Sequence, residues 1–265
     1  MHDRSLALPD LDAPSAPASA ATRAAEPPYY RTDGGYRGVA PYFFDLEGFA
    51  WAALLRQNWQ AIRHEYEDNV RRGRDHVVAV FNPAGPKISG WRSVNFQTYL
   101  WRYHRARRAF PVTVALLDAI PGLTSAFINV LEPGASIPAH QGDSQAIMRC
   151  HLGLDVPEGD CGVRVGPETR RCANGTLLAF CDAHEHASWN ATGAPRVVLL
   201  VDVMRPEYLT QRAPICANVL SATVVIWLEK HLRRQRPLPP HARTFLRRAI
   251  AWAFRLGLPI QRRGH

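Results

Sequence analysis

The chain has 265 residues, 46% of them apolar and 21% charged, with 32 Lys and Arg against 23 Asp and Glu. That length suits one domain with extensions. The five cysteines, Cys150, Cys161, Cys172, Cys181 and Cys216, include no CxxC pair, which excludes a paired-cysteine motif and points to reduced thiols, with a Cys161–Cys172 hairpin bridge as the alternative in an oxidising compartment.

Residues 1–28 are rich in Ala, Pro and Ser without aliphatic periodicity and read as a disordered tail. They lack a charged segment followed by an apolar one, so a cytoplasmic location is expected rather than secretion. From about Asp45 to Arg72, Phe49, Ala52, Leu55, Trp59, Ile62 and Tyr66 recur at spacings of three and four, the pattern of one helix laying an apolar stripe on a sheet. Between Val77 and Met204 come short β-rich runs, VVAVF, TSAFINVL, AIMRCHLGL, GVRVG, TLLAFCD and RVVLLVDVM, punctuated by Pro, Gly and Asn. The order predicts a mainly β fold, a double-stranded β-helix (jelly roll, cupin-like) with flanking α-helices. Trp91, Tyr99, Trp101 and Tyr103 are read either as core aromatics or as the lining of a substrate mouth.

Within the β-rich region His140 opens the run HQG, and His186 sits in CDAHEHASW. Many oxygenases hold iron(II) with two His and one carboxylate, leaving three positions open. Two residues after His140, where that carboxylate would stand, the chain has Gly142. Arg149 in RCHLGL and Arg196 in RVVLLVDV are isolated cations in apolar strands. A buried charge is costly unless paired, so each faces either an internal carboxylate, for which Asp182 and Asp202 are available, or an acidic ligand.

From Arg205 to His265 there are 12 Lys and Arg against Glu207 and Glu229, leaving 20 basic and 21 acidic residues for the rest. The basic excess is therefore a property of the C-terminal quarter. Two helical stretches are predicted there, separated by RPLPP. The first carries ICANVLSATVVIWL, too short and interrupted for a standard membrane span. The second sets Phe245, Leu246, Ala249, Ile250, Trp252, Ala253 and Leu256 against Arg243, Arg247, Arg248 and Arg255. Such a helix lies in an anionic membrane surface, or turns its apolar face to the jelly roll or to a second copy. No nucleic-acid motif accompanies the charge, so no nucleic-acid partner is expected. The predicted divisions are a tail (1–28), a jelly-roll domain with its N-terminal helix (29–208) and a basic helical extension (209–265).

The segment from Phe127 to Tyr208 resembles the aspartyl/asparaginyl β-hydroxylase family of iron(II)- and 2-oxoglutarate-dependent dioxygenases. The resemblance rests on the PG turn before His140, the HxG, the RxHLGL, a hydrophobic strand running into Asp-x-x-Glu-His with Trp189 three later, and Arg196 followed by a strand ending VDVxxPE. Upstream, LLRQNWQAIRHE is similar to that family's NW..IR helix, which extends the likeness to Asp45–Tyr208. It implies His140 and His186 as iron ligands, with 2-oxoglutarate and O2 as cosubstrates. Arg196, with Asn129 beside it, would meet the distal carboxylate of 2-oxoglutarate. Arg149 and His151 would meet the carboxylate next to the keto group. Several members lack a third protein ligand, so Gly142 agrees with the resemblance. Asp182 and Glu185 are read as groups behind the ligands that orient an imidazole, with polar loop positions as the alternative, and Trp189 is read as a further residue behind the ligands. His184 is read as a pocket or surface residue, and Asp143 would reach the metal only through a bulge.

The implied reaction is hydroxylation of a substrate carbon with release of succinate and CO2, on the β-carbon of an Asp or Asn residue or a related amino-acid unit. The alternatives are an acyl chain of a lipid A-like substrate at the membrane, halogenation at the vacant carboxylate position, or a non-catalytic adaptor acting through the basic tail. The expected partner is thus a peptide, amino-acid or lipid substrate, with peripheral contact at the inner face of the membrane and oligomerisation both left open.

Overall fold

The apolar stripe near the N-terminus is divided between two helices, α1 (Ala50–Gln57) and α2 (Trp59–Arg71). One continuous helix was expected. Asn58 breaks it: its backbone leaves the helical region and its side-chain amide donates to the Leu54 carbonyl, a local bond that competes with helix propagation. Phe49 consequently caps α1 from outside, while Ala52, Leu55 and Ile62 keep the inward positions and are fully buried.

The computed structural model describes residues 26–31, 34–73, 78–79, 88–231 and 238–263. The expected tail up to residue 25, most of the VVAVF run and the start of RPLPP lie outside the described residues. The end of that tail is seated, with the Glu26 and Pro27 carbonyls accepting from Tyr208 and Gln145.

In chain order the remaining elements are β1 (Val78–Ala79), β2 (Trp91–Thr98), β3 (Trp101–Arg102), α3 (His104–Ala109), α4 (Pro111–Asp118), β4 (Leu123–Leu131), β5 (Ser136–His140) and β6 (Ile147–Asp155). Then follow β7 (Cys161–Val165), β8 (Glu168–Arg171), β9 (Leu177–Cys181), β10 (His186–Asn190), β11 (Arg196–Met204), a 3-10 turn over Pro206–Gln211, α5 (Arg212–His231) and α6 (Pro240–Arg263). The strands form two antiparallel sheets, ordered β1-β2-β4-β11-β6-β9 with β3 on β2, and β5-β10-β7-β8. This is the jelly-roll architecture with flanking helices that the run pattern predicts. β11 is buried along its whole length, as befits a central strand covered on both faces.

The helical side of the larger sheet carries the main core, where Leu55 and Ile62 meet Phe96, Ile128, Leu152 and Leu199. A second core lies at the other end, where Ile147, Met204 and Tyr208 pack against Ile215, Cys216 and Val219 of α5 and Leu258 of α6. The C-terminal extension is therefore packed onto the paired ends of β6 and β11. Continued through the preceding turn, α5 is long and apolar enough to cross a membrane. The expectation that this stretch is too short is corrected because the 3-10 turn and α5 run on as one helix from Pro206 to His231.

Candidate active site

Strand pairing brings the two histidines together. His140 at the end of β5 and His186 at the start of β10 are direct cross-strand partners, with ring centroids 4.2 Å apart. Each Nδ1 sits 2.8 Å from a backbone carbonyl two residues upstream, Pro138 for His140 and His184 for His186. A carbonyl only accepts, so both Nδ1 atoms carry the proton and both Nε2 atoms keep a lone pair for a metal. Burial lowers the His186 pKa to about 4, so its ring is neutral under ordinary conditions.

The position opposite Gly142 is filled by Asp182, whose side chain is fully buried. A Cβ on residue 142 would fall 1.9 Å from Asp182 Oδ2, so only glycine fits. The Asp143 backbone N–H donates to the same oxygen at 2.8 Å. Asp182 Oδ1 lies 2.5 Å from Arg149 Nη1 and 3.8 Å from His186 Nε2, without a well-directed hydrogen bond to either. Burial by itself would raise the Asp182 pKa, but the charge of Arg149 holds it below the usual carboxylate value.

Arg149 therefore takes the internal pairing. Its Nε and Nη2 donate to Asp202 at 2.8 and 2.9 Å, and Nη1 faces Asp182. Although burial opposes its charge, the two carboxylates keep it protonated. One guanidinium between two buried carboxylates leaves an excess of negative charge beside two neutral imidazoles. A cation is the natural complement to that excess.

Arg196 is the opposite case. It is 2% exposed and, among the described residues, no carboxylate pairs with it. Its Nη1 donates to Ser188 Oγ at 2.8 Å and reaches the Gly162 and Trp189 carbonyls at 3.3 Å, while its Nε has no partner. His151 has neither ring nitrogen hydrogen-bonded. Burial, then the Arg196 and Arg149 charges, push its pKa well below the usual histidine value. Buried polar atoms are rarely left unsatisfied in native proteins, so a buried cation without an anion and an unpaired imidazole fit an acidic ligand.

These groups share one space. His140, His186, Arg149, His151, Arg196 and Asn129 all line a narrow cavity of about 40 Å³ between the two sheets, partly open to solvent. Its remaining wall includes Trp91, Phe180 and Ser188. Among the described residues no cluster of three or more His, Cys, Asp or Glu reaches metal-binding geometry; the donor set is the imidazole pair with Asp182 behind it. The chemistry of that set fits iron(II), and Arg196, which has no carboxylate partner among the described residues, fits a dicarboxylate cosubstrate.

Other expected residues fall elsewhere. Trp189 points the other way, because positions 187 and 189 alternate with the buried 186, 188 and 190 on β10. Its indole donates to Asp160, and only its backbone carbonyl serves the site, by accepting from Arg196. Asp143 is drawn off by Tyr99, whose hydroxyl donates to it at 2.5 Å, and by Arg31 at 3.4 Å. Glu185 is an exposed loop residue paired with Arg164. His184 donates to the Ala40 carbonyl and packs against the Tyr36 and Tyr42 rings.

Of the four aromatics weighed for the substrate mouth, Trp91 lines the cavity, Tyr99 is buried, and Trp101 and Tyr103 are exposed. Sequence reasoning missed Ser188, although strand alternation two residues after His186 could have found it. It also missed Tyr29 and Tyr36, whose backbone N–H groups donate to Gln145 and Gln141 and so lay the N-terminal segment over the His140 loop. Pairing that distant leaves no mark in a single sequence.

Comparison with known proteins places this site in context. The family model for aspartyl/asparaginyl beta-hydroxylase matches residues 56–206. An ornithine lipid ester-linked acyl 2-hydroxylase of Rhizobium tropici is 33% identical over 174 residues, covering 63% of this chain and 61% of that one. The human aspartyl/asparaginyl beta-hydroxylase is 28% identical over 166 residues, 60% of this chain and 21% of its own length. Human aspartate beta-hydroxylase domain-containing protein 2 is 42% identical over 183 residues, 64% of this chain and 48% of its own. The match thus spans less than two thirds of each of these relatives.

Proposed function

The chain belongs to the aspartyl/asparaginyl beta-hydroxylase family, and from that premise we propose that it is an iron(II)- and 2-oxoglutarate-dependent hydroxylase. The observation that carries the reading is Arg196, a buried cation lacking a carboxylate partner among the described residues, on the wall of the cavity that holds the His140–His186 pair. When bound, iron(II), 2-oxoglutarate and O2 supply the oxidising chemistry that places a hydroxyl on a substrate carbon and yields succinate and CO2.

His140 and His186 hold the metal through Nε2, their Nδ1 protons pinned to backbone carbonyls. Asp182 supplies a carboxylate where Gly142 leaves room, and Arg149 keeps that carboxylate ionised and in place. Arg196, steadied by Ser188, binds the distal carboxylate of the cosubstrate, and Asn129 and His151 face it from β4 and β6. Ile137, Val163, Phe180, Val198 and Leu200 form apolar walls that exclude water and strengthen these polar contacts. No side chain is required to act as a general acid or base.

The leading substrate is the β-carbon of an Asp or Asn residue or a related amino-acid unit. A second reading, an acyl chain of a membrane lipid, is favoured by the 33% identity to the ornithine-lipid enzyme, of which the match covers 61%. Halogenation is disfavoured because the Asp182 carboxylate occupies the space beside Gly142 that a halide would need, and turnover is expected to be indifferent to chloride. A passive adaptor would not need six polar side chains to converge on one cavity.

The test is succinate formation from 2-oxoglutarate with added Fe(II). Wild type should turn over, and His186→Ala should lose more than about 100-fold. Turnover unchanged in His186→Ala would sink the reading. Mass spectrometry of peptides, metabolites and lipids from cells with and without the protein, seeking the gain of one oxygen, then identifies the substrate.

A further inference from the structure

α6 carries two apolar faces, and among the described residues only one of them has a partner. Ala251, Phe254 and Leu258 turn inward, packing toward α5 and the second core. On the opposite side Phe245, Trp252 and Leu256 are 75%, 64% and 55% exposed. Together with the exposed Ala249 they stand at successive steps of four, three and four residues, which is a single stripe along the helix. Exposed large apolar side chains gathered in one stripe mark an interaction surface.

The stripe's borders say what covers it. Arg248 and Arg255, seven residues apart, run along one edge of the stripe, both exposed. Neither pairs with a carboxylate among the described residues. From Pro240 to Arg263 the helix contains six Arg and no Asp or Glu. α6 also packs on β3, and there Trp101 and the adjoining Tyr103 are 40% and 38% exposed, adding two aromatics at the same end of the molecule. A protein partner covering this surface would need acidic side chains on a rim around an apolar groove. A bilayer of anionic phospholipid offers both properties without further fitting, and Trp, Tyr and Arg are the side chains suited to its interface.

We propose that the outer face of α6 is a docking surface for an anionic phospholipid bilayer, with Phe245, Trp252 and Leu256 entering the acyl boundary and Arg248 and Arg255 meeting the headgroup phosphates. This rests on the helix surface and not on the proposed oxygenase chemistry, so it stands or falls separately from it.

The full chain is tested by co-sedimentation with phosphatidylcholine vesicles, with and without phosphatidylglycerol. Binding is expected to rise about 10-fold or more when the anionic lipid is present and to weaken with added salt. Trp252→Ser with Leu256→Ser, and separately Arg248→Glu with Arg255→Glu, should each reduce it about 10-fold while succinate formation and the thermal midpoint stay unchanged. Equal weak binding to both vesicle types overturns the proposal. So does a concentration-dependent dimer in sedimentation velocity that the Trp252→Ser, Leu256→Ser chain loses, because the stripe would then be covered by a second copy.

Discussion

Arg149 and Arg196 share an address on the page of sequence, each a lone cation in an apolar strand, yet their surroundings differ in kind. Arg149 is bracketed by Asp182 and Asp202, whereas Arg196 meets hydroxyl and carbonyl oxygens and an open cavity. Arg149→Met should therefore cost about 3–5 kcal/mol in urea unfolding, because two carboxylates stay buried without their cation. Arg196→Met should change stability by less than about 1.5 kcal/mol but raise the KM for 2-oxoglutarate sharply. Equal losses of stability in the two variants would make Arg196 a structural residue. Gly142 gives a second test at this scale. Asp182→Gly and Gly142→Asp should each abolish tight Fe(II) binding, the first by removing the carboxylate and the second by collision with it. The double exchange should recover binding by returning one carboxylate to the shared space; wild-type iron affinity in Asp182→Gly would show that the carboxylate has no part in the site.

At the scale of elements, the connection between β2 and β3 is the most demanding piece of backbone. Thr98 pairs with Trp101, so Tyr99 and Leu100 form a two-residue turn, with φ of 43° and 72°. Glycine and asparagine are the usual occupants of such turns. Here the conformation is imposed from outside: the Leu100 N–H donates to the Thr124 carbonyl at 2.8 Å, the Tyr99 N–H to Ser125 Oγ at 3.0 Å, and the Tyr99 hydroxyl to Asp143. The turn thereby ties the β2–β3 hairpin to the loop after His140. Glycine ordinarily destabilises a position relative to alanine. At residue 100 the order should reverse, with Leu100→Gly more stable than Leu100→Ala by about 1 kcal/mol in urea unfolding. The usual order would mean that the turn relaxes out of its left-handed conformation. The same competition between local and distant bonds explains why α1 and α2 are separate: the amphipathic stripe is legible from Phe49 to Tyr66, but the Asn58 side-chain bond that interrupts it is not.

For the whole molecule, the second core makes the C-terminal helices part of the jelly-roll unit. Ile147 on β6, Met204 on β11 and Tyr208 after it are all buried under α5 and α6. Ending the chain at Gln211 should uncover them and lower the melting temperature by more than about 10 °C, from burial terms of roughly 1.5–3 kcal/mol per side chain. A truncated chain that melts with the full one would show the extension to be an independent appendage. Composition alone locates the basic excess in this segment. It does not reveal that α6 uses one apolar face inside the molecule and leaves the other outside, since residues such as Leu256 and Leu258 are chemically alike and differ only in what lies against them.

Although the short strands β5, β8 and β10 were not among its β-rich runs, the strands β4, β6, β7, β9 and β11, the jelly roll they build and the candidacy of His140, His186 and Arg196 could be read from the sequence itself. Each is a local property, a run of β-formers, a spacing, or a charge stranded among apolar neighbours, and such properties survive in one dimension. The partners were decided only by tertiary structure: Asp182 in the room left by Gly142, Asp202 against Arg149, Ser188 under Arg196, and Tyr36 across the His140 loop. Strand alternation sets which face a side chain occupies. What stands opposite is set by the register between segments that the chain itself keeps far apart.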